Sequence, residues 1–130
     1  MLALWQQCEG VGLSSADSRE NIATYLERNP GTSFLAQVDG SLVGAVLCGH
    51  DGRRGFLWHL AVHPRFQRRG IGRRLVDRCL DALRLAGIGK CNVVVFNSNT
   101  KGIAFWERAG WTTRDDVSMI ARNIGEFLTP

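Results

Sequence analysis

A stretch of arginines and glycines near the middle of the chain has residue types suited to binding an anion. Its arginines lie within ten residues of one another: Arg65, Arg68, Arg69, Arg73 and Arg74. Gly70 and Gly72 lie among them, where the pattern turns helical. A helix N-terminus carries about half a positive charge, so each arginine there is unfavourable by roughly 0.3 to 1 kcal/mol unless an anion offsets it. Because glycine lets a ligand approach the backbone and first-turn N–H groups donate to phosphate, the stretch predicts a diphosphate-sized anion.

Two common phosphate-binding loops fit this stretch poorly. The alternative that the stretch is only a solvated basic turn, with no ligand, remains. A Walker A loop requires Gly-x-x-x-x-Gly-Lys followed by Ser or Thr, and that string does not occur in the sequence. A dinucleotide fingerprint requires a third glycine where the chain has Leu75. The formal net charge of +4 could indicate nucleic acid, but much of the excess is local. We therefore expect a compact anion and no nucleic-acid partner.

The histidines and cysteines do not predict a metal site. His59 and His63 are four residues apart in a stretch typical of a strand, which would separate them by about 13 Å. The cysteines are irregularly spaced in apolar stretches, which favours buried free thiols: Cys8, Cys48, Cys79 and Cys91. Unpaired cysteines, no signal-peptide pattern and no apolar run of about 20 residues predict a cytoplasmic protein without a membrane partner.

Two helices and a three-stranded meander precede the arginine stretch. The first helix is predicted over Leu2–Cys8, and the second begins at Asp17, with Glu20 in the capping-box position. The predicted strands and the turn that joins the first two are Ser33–Val38, Asp39-Gly40, Leu42–Cys48 and Phe56–Val62. Proline cannot continue a strand ladder, so Pro64 stops the third strand just before the arginines.

A crossover helix and three shorter elements follow. The helix runs from Gly70 to Ala86, with its apolar residues at helical spacing. The later elements are a strand over Asn92–Phe96, buried on both faces, a helix capped by Asn99 that runs through Arg108, and a last strand around Thr112–Asn123. The first of these strands is expected to lie parallel to the third meander strand through a right-handed crossover. With 130 residues, the chain suits a single domain over 1–130.

Two motifs resemble those of the GNAT superfamily of acyl-CoA N-acyltransferases. The family signature Val-x-Pro-x-x-Gln/Arg-x-x-Gly-x-Gly/Ala is filled from Val62 to Gly72, at every fixed position. A second pattern, Asn-x-x-Ala-x-x-Leu/Phe-Tyr-Glu-x-x-Gly-Phe, resembles the segment from Asn99 to Trp111. The order of elements is similar too. The resemblance implies an α/β (α+β) fold with a mixed, largely antiparallel sheet and helices on both faces.

The resemblance also implies a coenzyme A site. It assigns to the coenzyme Leu60, Ala61, Val62, Gln67, Arg68, Arg69, Gly70, Ile71, Gly72, Arg73, Asn99 and Trp106. By this resemblance the backbone from Leu60 to Val62 binds the pantetheine arm where it enters a gap between two strands. The amides of Gln67 to Gly72, with Arg73, hold the pyrophosphate, and Asn99 contacts the pantetheine from the other side. The amine would reach the thioester from the opposite end of the gap.

The chain departs from the family pattern at the positions expected to supply the general acid and the general base. Trp106 replaces a tyrosine that the family commonly uses to protonate the departing thiolate, and an indole N–H is too weak an acid for that role. Packing on a helix face accounts for Trp106 equally well. Without a carboxylate on the central strand, His59 is the candidate general base, although it could instead pack beside Trp58 or face solvent. His50 and Asp51 are candidate substrate contacts.

The family fold usually opens with a strand, whereas this chain opens with a helix. Either the true start lies upstream, or the sheet lacks its first edge strand and Ser33–Val38 is free to pair with a second copy, which favours a homodimer. We expect an N-acetyltransferase that moves an acetyl group from acetyl-CoA, its co-substrate, to a primary amine by direct attack, without a metal. The alternative is a non-catalytic acetyl-CoA sensor that regulates a protein partner.

Overall fold

The computed structural model describes residues 1–8 and 11–125, which fold into a mixed α and β domain. Its helices are α1 Leu2–Gln6, α2 Arg19–Arg28, α3 Ile71–Leu85 and α4 Thr100–Arg108. Its strands are β1 Phe34–Val38, β2 Ser41–His50, β3 Gly55–Val62 and β4 Cys91–Val93. Within these described residues, no helix is both long and apolar enough to cross a membrane.

The strands form one sheet in the order β1-β2-β3-β4. The pairs β1–β2 and β2–β3 are antiparallel, and β3–β4 is parallel, as expected for a crossover through α3. Asp39 and Gly40 both have positive φ angles, 51° and 79°, which confirms the predicted hairpin turn between β1 and β2. The sheet is therefore largely antiparallel, as predicted.

The two faces of the sheet carry separate apolar cores. Along β2, Val46 and Cys48 point into a core with α3, whereas Ala45 and Leu47 point into a core with α1 and α2. This alternation follows from the two-residue period of a strand. Helices cover both faces, which confirms the predicted arrangement.

The start of α2 differs from the prediction. Ser18, not Asp17, is the N-cap, because the Ser18 hydroxyl accepts a hydrogen bond from the N–H of Asn21. Asp17 lies instead in a 3₁₀ turn over Ser15–Asp17, and its carboxylate accepts a hydrogen bond from the N–H of Ser14 at 3.0 Å. The carboxylate of Asp17 is therefore held outside the helix, next to the sheet.

Two predicted strands are corrected by the structure. β4 ends at Val93, and Val94 and Phe96 are 45% and 59% exposed, so this strand is not buried on both faces. No strand forms over 112–123 within the described chain, where Val117 and Met119 are exposed. The neighbouring edge strand, β4, has only three residues and does not pair with this segment, and apolar alternation at two positions does not hold a strand by itself. Within this segment Arg114 and Asp116 form an exposed local ion pair at 2.7 Å.

Candidate active site

A gap opens between β3 and β4 in the middle of the sheet. The two strands pair at only three positions, Gly55 with Cys91, Phe56 with Asn92 and Leu57 with Val93. Beyond Leu57, β3 continues to Val62, whereas β4 has ended. The C-terminal half of β3 therefore presents a free edge, in agreement with the gap that the family resemblance implied.

A β-bulge lies in β3 where the gap begins. Leu47 of β2 pairs with Trp58, and Ala45 pairs with Ala61, so β3 has one more residue than β2 between these pairs. His59 lies in this bulge with a φ of 54°. A left-handed conformation costs a non-glycine residue roughly 1 to 2 kcal/mol. Bulges bend a strand and redirect its groups, and strained residues of this kind cluster at functional sites.

The free edge of β3 exposes main-chain groups to the gap. His63 donates its N–H to the Val43 carbonyl of β2 at 2.7 Å, so alternation directs the backbone of Ala61 to β2 and that of Leu60 and Val62 to the gap. The Val62 carbonyl accordingly accepts a hydrogen bond from the side-chain amide of Gln67 at 3.0 Å. The edge can thus bind an extended ligand that contains amides.

Cys8, which follows α1, is also near this edge. Its thiol lies 3.6 Å from the Val62 carbonyl, to which it donates. Burial raises the pKa of the Cys8 thiol above its ordinary value. Cys8 therefore acts as a neutral hydrogen-bond donor at this position.

The arginine stretch forms the loop from the end of β3 to the start of α3. Arg68 and Gly70 have positive φ angles of 64° and 80°, and a Cβ on Gly70 would have no atom within 4 Å. The first helical hydrogen bond is donated by the N–H of Arg74 to the Gly70 carbonyl, which leaves the N–H groups of Ile71 to Arg73 without helical acceptors. The loop therefore has open space beside donors, as an anion site requires.

The charges around this loop are not balanced by acidic side chains. Its arginines are exposed: Arg65, Arg68, Arg69, Arg73 and Arg74. In the described part of the chain none of them forms a salt bridge, and Arg69 lies 5.1 Å from the centre of the Phe66 ring. Positive side chains and the positive end of the α3 dipole thus converge on one region.

The remaining residues that the motifs singled out have packing roles. A Cβ on Gly72 would lie 3.4 Å from the Phe105 ring and 3.8 Å from Val62, which are ordinary contact distances, so Gly72 faces α4 and β3 without a packing need for glycine. Asn99 caps α4 through a 3.0 Å hydrogen bond from the N–H of Gly102, as predicted. Trp106 is 8% exposed and packs edge-on in a core cluster, with ring centroids 5.2 Å from Phe105 and 4.8 Å from Trp111. Packing accounts for its position.

His59 and Asp17 form a hydrogen-bonded pair on the other side of the bulge. The Nε2 atom of His59 lies 2.7 Å from Oδ1 of Asp17, and the two side chains are only 14% and 11% exposed. Trp5 holds His59 from α1, because its indole N–H donates to the His59 carbonyl at 2.9 Å and its ring packs edge-on against the imidazole at 4.8 Å. With Nε2–H donated to a carboxylate, a neutral imidazole carries its free lone pair on Nδ1.

Sequence reasoning missed Asp17 and Trp5 as partners of His59. Asp17 is 42 residues from His59, and Trp5 is 54 residues away. Neither spacing carries a signal, and an aspartate at a helix start is ordinarily explained as a cap. Only the packing of α1 and of the 3₁₀ turn at Ser15–Asp17 against β3 brings the three together.

The His59–Asp17 pair lines a cavity of about 250 Å³ between α2 and the sheet. The other lining residues are Gly12, Ser14, Ala16, Ile22, Tyr25, Leu47 and Trp58. Burial raises the pKa of Tyr25 well above its ordinary value, so the phenol stays neutral. The cavity is thus mainly apolar with one carboxylate and one imidazole.

His50 and Asp51 do not line this cavity. They hold the turn between β2 and β3, where the His50 Nδ1 accepts from the N–H of Gly52 and the Asp51 carboxylate accepts from the N–H groups of Arg54 and Arg53. Those backbone N–H groups, that of Arg54 first, lower the pKa of Asp51. Their hydrogen bonds account for both residues as parts of the turn.

Comparison with known proteins gives consistent matches. The profile of the acetyltransferase (GNAT) family matches residues 1–111. An acetyltransferase from Yersinia enterocolitica is 32% identical over 124 residues, covering 95% of this chain and 87% of that protein.

Solved structures share the fold. Ard1 from Thermoplasma volcanium superposes with a TM-score of 0.67 at 24% identity, covering 73% of this chain and 65% of that one. A GNAT family acetyltransferase from Elizabethkingia anophelis, solved with acetyl-CoA bound, gives 0.64 at 24% identity, covering 75% and 63%. This chain thus spans slightly less than two thirds of the length of both solved proteins.

Proposed function

The chain belongs to the GNAT family of acetyltransferases, and we propose that it transfers an acetyl group from acetyl-CoA to a primary amine by direct attack. The observation that carries the proposal is the unbalanced positive loop at the start of α3, next to the free edge of β3. A diphosphate fits the loop and an amide-containing arm fits the edge. Coenzyme A has both, joined in that order.

The open space beside Gly70 supports its assignment to the pyrophosphate. The N–H groups of Ile71, Gly72 and Arg73 point out of the first turn of α3 and would donate to phosphate oxygens. Arg68 and Arg69 are exposed and would offer positive charge to the pyrophosphate without first breaking a salt bridge. The Gln67 amide would release the Val62 carbonyl to a pantetheine N–H, since both compete for the same acceptor.

The chemistry proposed for the gap is nucleophilic attack on the thioester carbonyl. A backbone N–H that faces the gap would stabilise the oxyanion, and Val62 suits this role better than Ala61, whose backbone is directed to β2. Such a donor typically contributes about 10²- to 10³-fold in rate. A thiol with an ordinary pKa of about 8.5 leaves as thiolate without a strong acid, so Trp106 in place of tyrosine does not prevent turnover. His59 is the proposed base.

Titration calorimetry with acetyl-CoA tests the coenzyme site. We expect wild-type protein to bind and Gly70→Asp to lose at least about tenfold in affinity, because the new carboxylate would lie against the diphosphate. Gly87→Asp is the matched control, since Gly87 also has a positive φ, of 82°, and open space beside its Cβ, but lies at the far end of α3. Equal affinities for both folded variants would contradict the assignment.

A panel of amines tests the reaction itself. Release of coenzyme A thiol and formation of N-acetylated product should appear together for at least one primary amine. Acetyl-CoA binding without turnover on small amines, polyamines, lysine or peptide N-termini would instead support the sensor alternative.

A homodimer is proposed through the free edge of β1, which among the described strands pairs only with β2 and which carries Leu35, 54% exposed. Light scattering should give a dimer mass for wild type and a monomer mass for Leu35→Lys. A monomeric wild type would rule the dimer out. A cytoplasmic location is also proposed, and the free thiols of the four cysteines support it.

A further inference from the structure

We propose that the cavity beside His59 is the amine-binding site and that it selects a small primary amine with one positive charge and a compact apolar body. This inference rests on the proposed acetyl transfer and assigns the substrate class. The cavity lies next to the bulge of β3, where the free edge of the strand begins. An amine held there is adjacent to the strand that would bind the thioester.

The size of the cavity restricts its occupant. A volume of about 250 Å³ is below the roughly 300 to 1,000 Å³ typical of pockets for drug-sized ligands. Two of its lining residues, Ile22 and Leu47, belong to the core with α1 and α2 and are only 9% and 3% exposed. The cavity therefore cannot enlarge on their side without loss of packing. An oligosaccharide or a folded protein segment is too large to be enclosed in it.

The charge and polarity of the residues that line the cavity further restrict which amine can bind. Side chains of Ile22, Leu47 and Trp58 and the ring of Tyr25 offer apolar surface, and Asp17 is the acidic residue among those that line it. Each ammonium group that loses water without a partner is costly. A single carboxylate can therefore offset one positive charge, whereas a polyamine would leave others unpaired. The lining thus favours an alkyl or arylalkyl monoamine.

The His59–Asp17 pair gives the cavity its proton acceptor. Asp17 holds the Nε2–H of His59 at 2.7 Å, which leaves Nδ1 as the basic atom. The bound ammonium would first lose one proton to Nδ1 of His59, which passes it to water. The neutral amine nitrogen would then bond to the carbonyl carbon while the C–S bond breaks, His59 would take the second proton from that nitrogen, and the coenzyme would leave as a thiolate that is then protonated from water. His59 touches the reacting amine, and Asp17, whose carboxylate offsets the ammonium charge, also positions His59.

Competition among matched amines tests the substrate class. With saturating acetyl-CoA, we expect kcat/KM for isoamylamine, benzylamine and phenethylamine to exceed that for spermidine and for a tetra-alanine peptide by at least about tenfold. Higher kcat/KM for spermidine or the peptide would overturn this inference while leaving acetyl transfer intact. Absence of N-acetylated product from every amine would overturn acetyl transfer itself, and this inference with it.

A larger side chain in the cavity tests whether the amine binds there. Ala16 is exposed at the rim, so Ala16→Leu should narrow the cavity without disturbing the core. We expect kcat/KM for phenethylamine to fall by about tenfold or more while acetyl-CoA affinity is unchanged, which also shows that the variant is folded. Ala23→Leu, at an exposed position on α2 outside the cavity, is the matched control and should match wild type. An Ala16→Leu variant with the kcat/KM of wild type would place the amine elsewhere.

Discussion

His59 combines a strained backbone with a side chain that is held through one ring nitrogen, Nε2. Its φ of 54° is maintained by the indole of Trp5, which bonds the His59 carbonyl, and by the carboxylate of Asp17, which bonds the ring. A packing residue does not need this support, because an ordinary strand conformation would cost less. The strain and its supports therefore favour a functional role, with the imidazole fixed in one orientation and one tautomer.

Removal of the His59 imidazole should affect turnover and not coenzyme binding. In His59→Ala we expect kcat to fall by about 10²- to 10⁴-fold, the usual contribution of a positioned base, with unchanged acetyl-CoA affinity. Added imidazole should restore part of the rate by occupying the space beside Trp5, and it should not accelerate wild type. A variant with wild-type kcat would show that the base lies elsewhere.

Asp17→Asn separates orientation from packing, since asparagine has almost the same shape as aspartate. We expect kcat to fall by about 10- to 100-fold, less than the roughly 10⁴-fold loss in a Ser-His-Asp triad, because an amine is a better nucleophile than a hydroxyl. The KM for acetyl-CoA should not change. A changed KM for acetyl-CoA with wild-type kcat would assign Asp17 a purely structural role.

The elements differ in how far local residue types determine them. Asn99 caps α4 and Asp39-Gly40 forms the β1–β2 turn as predicted, because both structures depend on neighbouring backbone atoms. The predicted strand over Thr112–Asn123 was wrong, because a strand depends on a partner that the local pattern does not reveal. The contact of Asp17 with His59 could not be predicted for the same reason, because the two residues are 42 positions apart in the sequence.

The Asn99 cap of α4 should contribute measurably to the stability of the protein. Asn99→Ala should lower the free energy of unfolding by about 0.5 to 2 kcal/mol, because the N–H of Gly102 loses its acceptor at the helix start. Asn97→Ala, at an exposed turn position two residues earlier, is the control and should change it by less than about 0.5 kcal/mol. Urea unfolding measures both, and equal stability of the two variants would show that the cap does not account for the Asn99 motif.

At the scale of the whole molecule, the charged loop and the apolar cavity are joined by β3. The loop follows the C-terminal end of this strand, and the cavity lies beside its bulge, on the face covered by α1 and α2. Coenzyme and amine can therefore occupy the protein together. A covalent acetyl intermediate on Cys8 or Cys91 is not favoured, because burial raises the pKa of Cys91 to about 12 and also raises that of Cys8, which keeps both thiols protonated. Cys48 and Cys79 are fully buried, out of reach of a thioester.

The most direct measurement of the central claim is rapid-quench mass spectrometry of a mixture of protein, acetyl-CoA and benzylamine. Direct transfer predicts N-acetylbenzylamine and free coenzyme A in equal amounts from the first turnover, with no acetyl group on the protein at any time. Coenzyme A released without N-acetylated amine, or an acetylated protein that precedes the product, would contradict direct transfer.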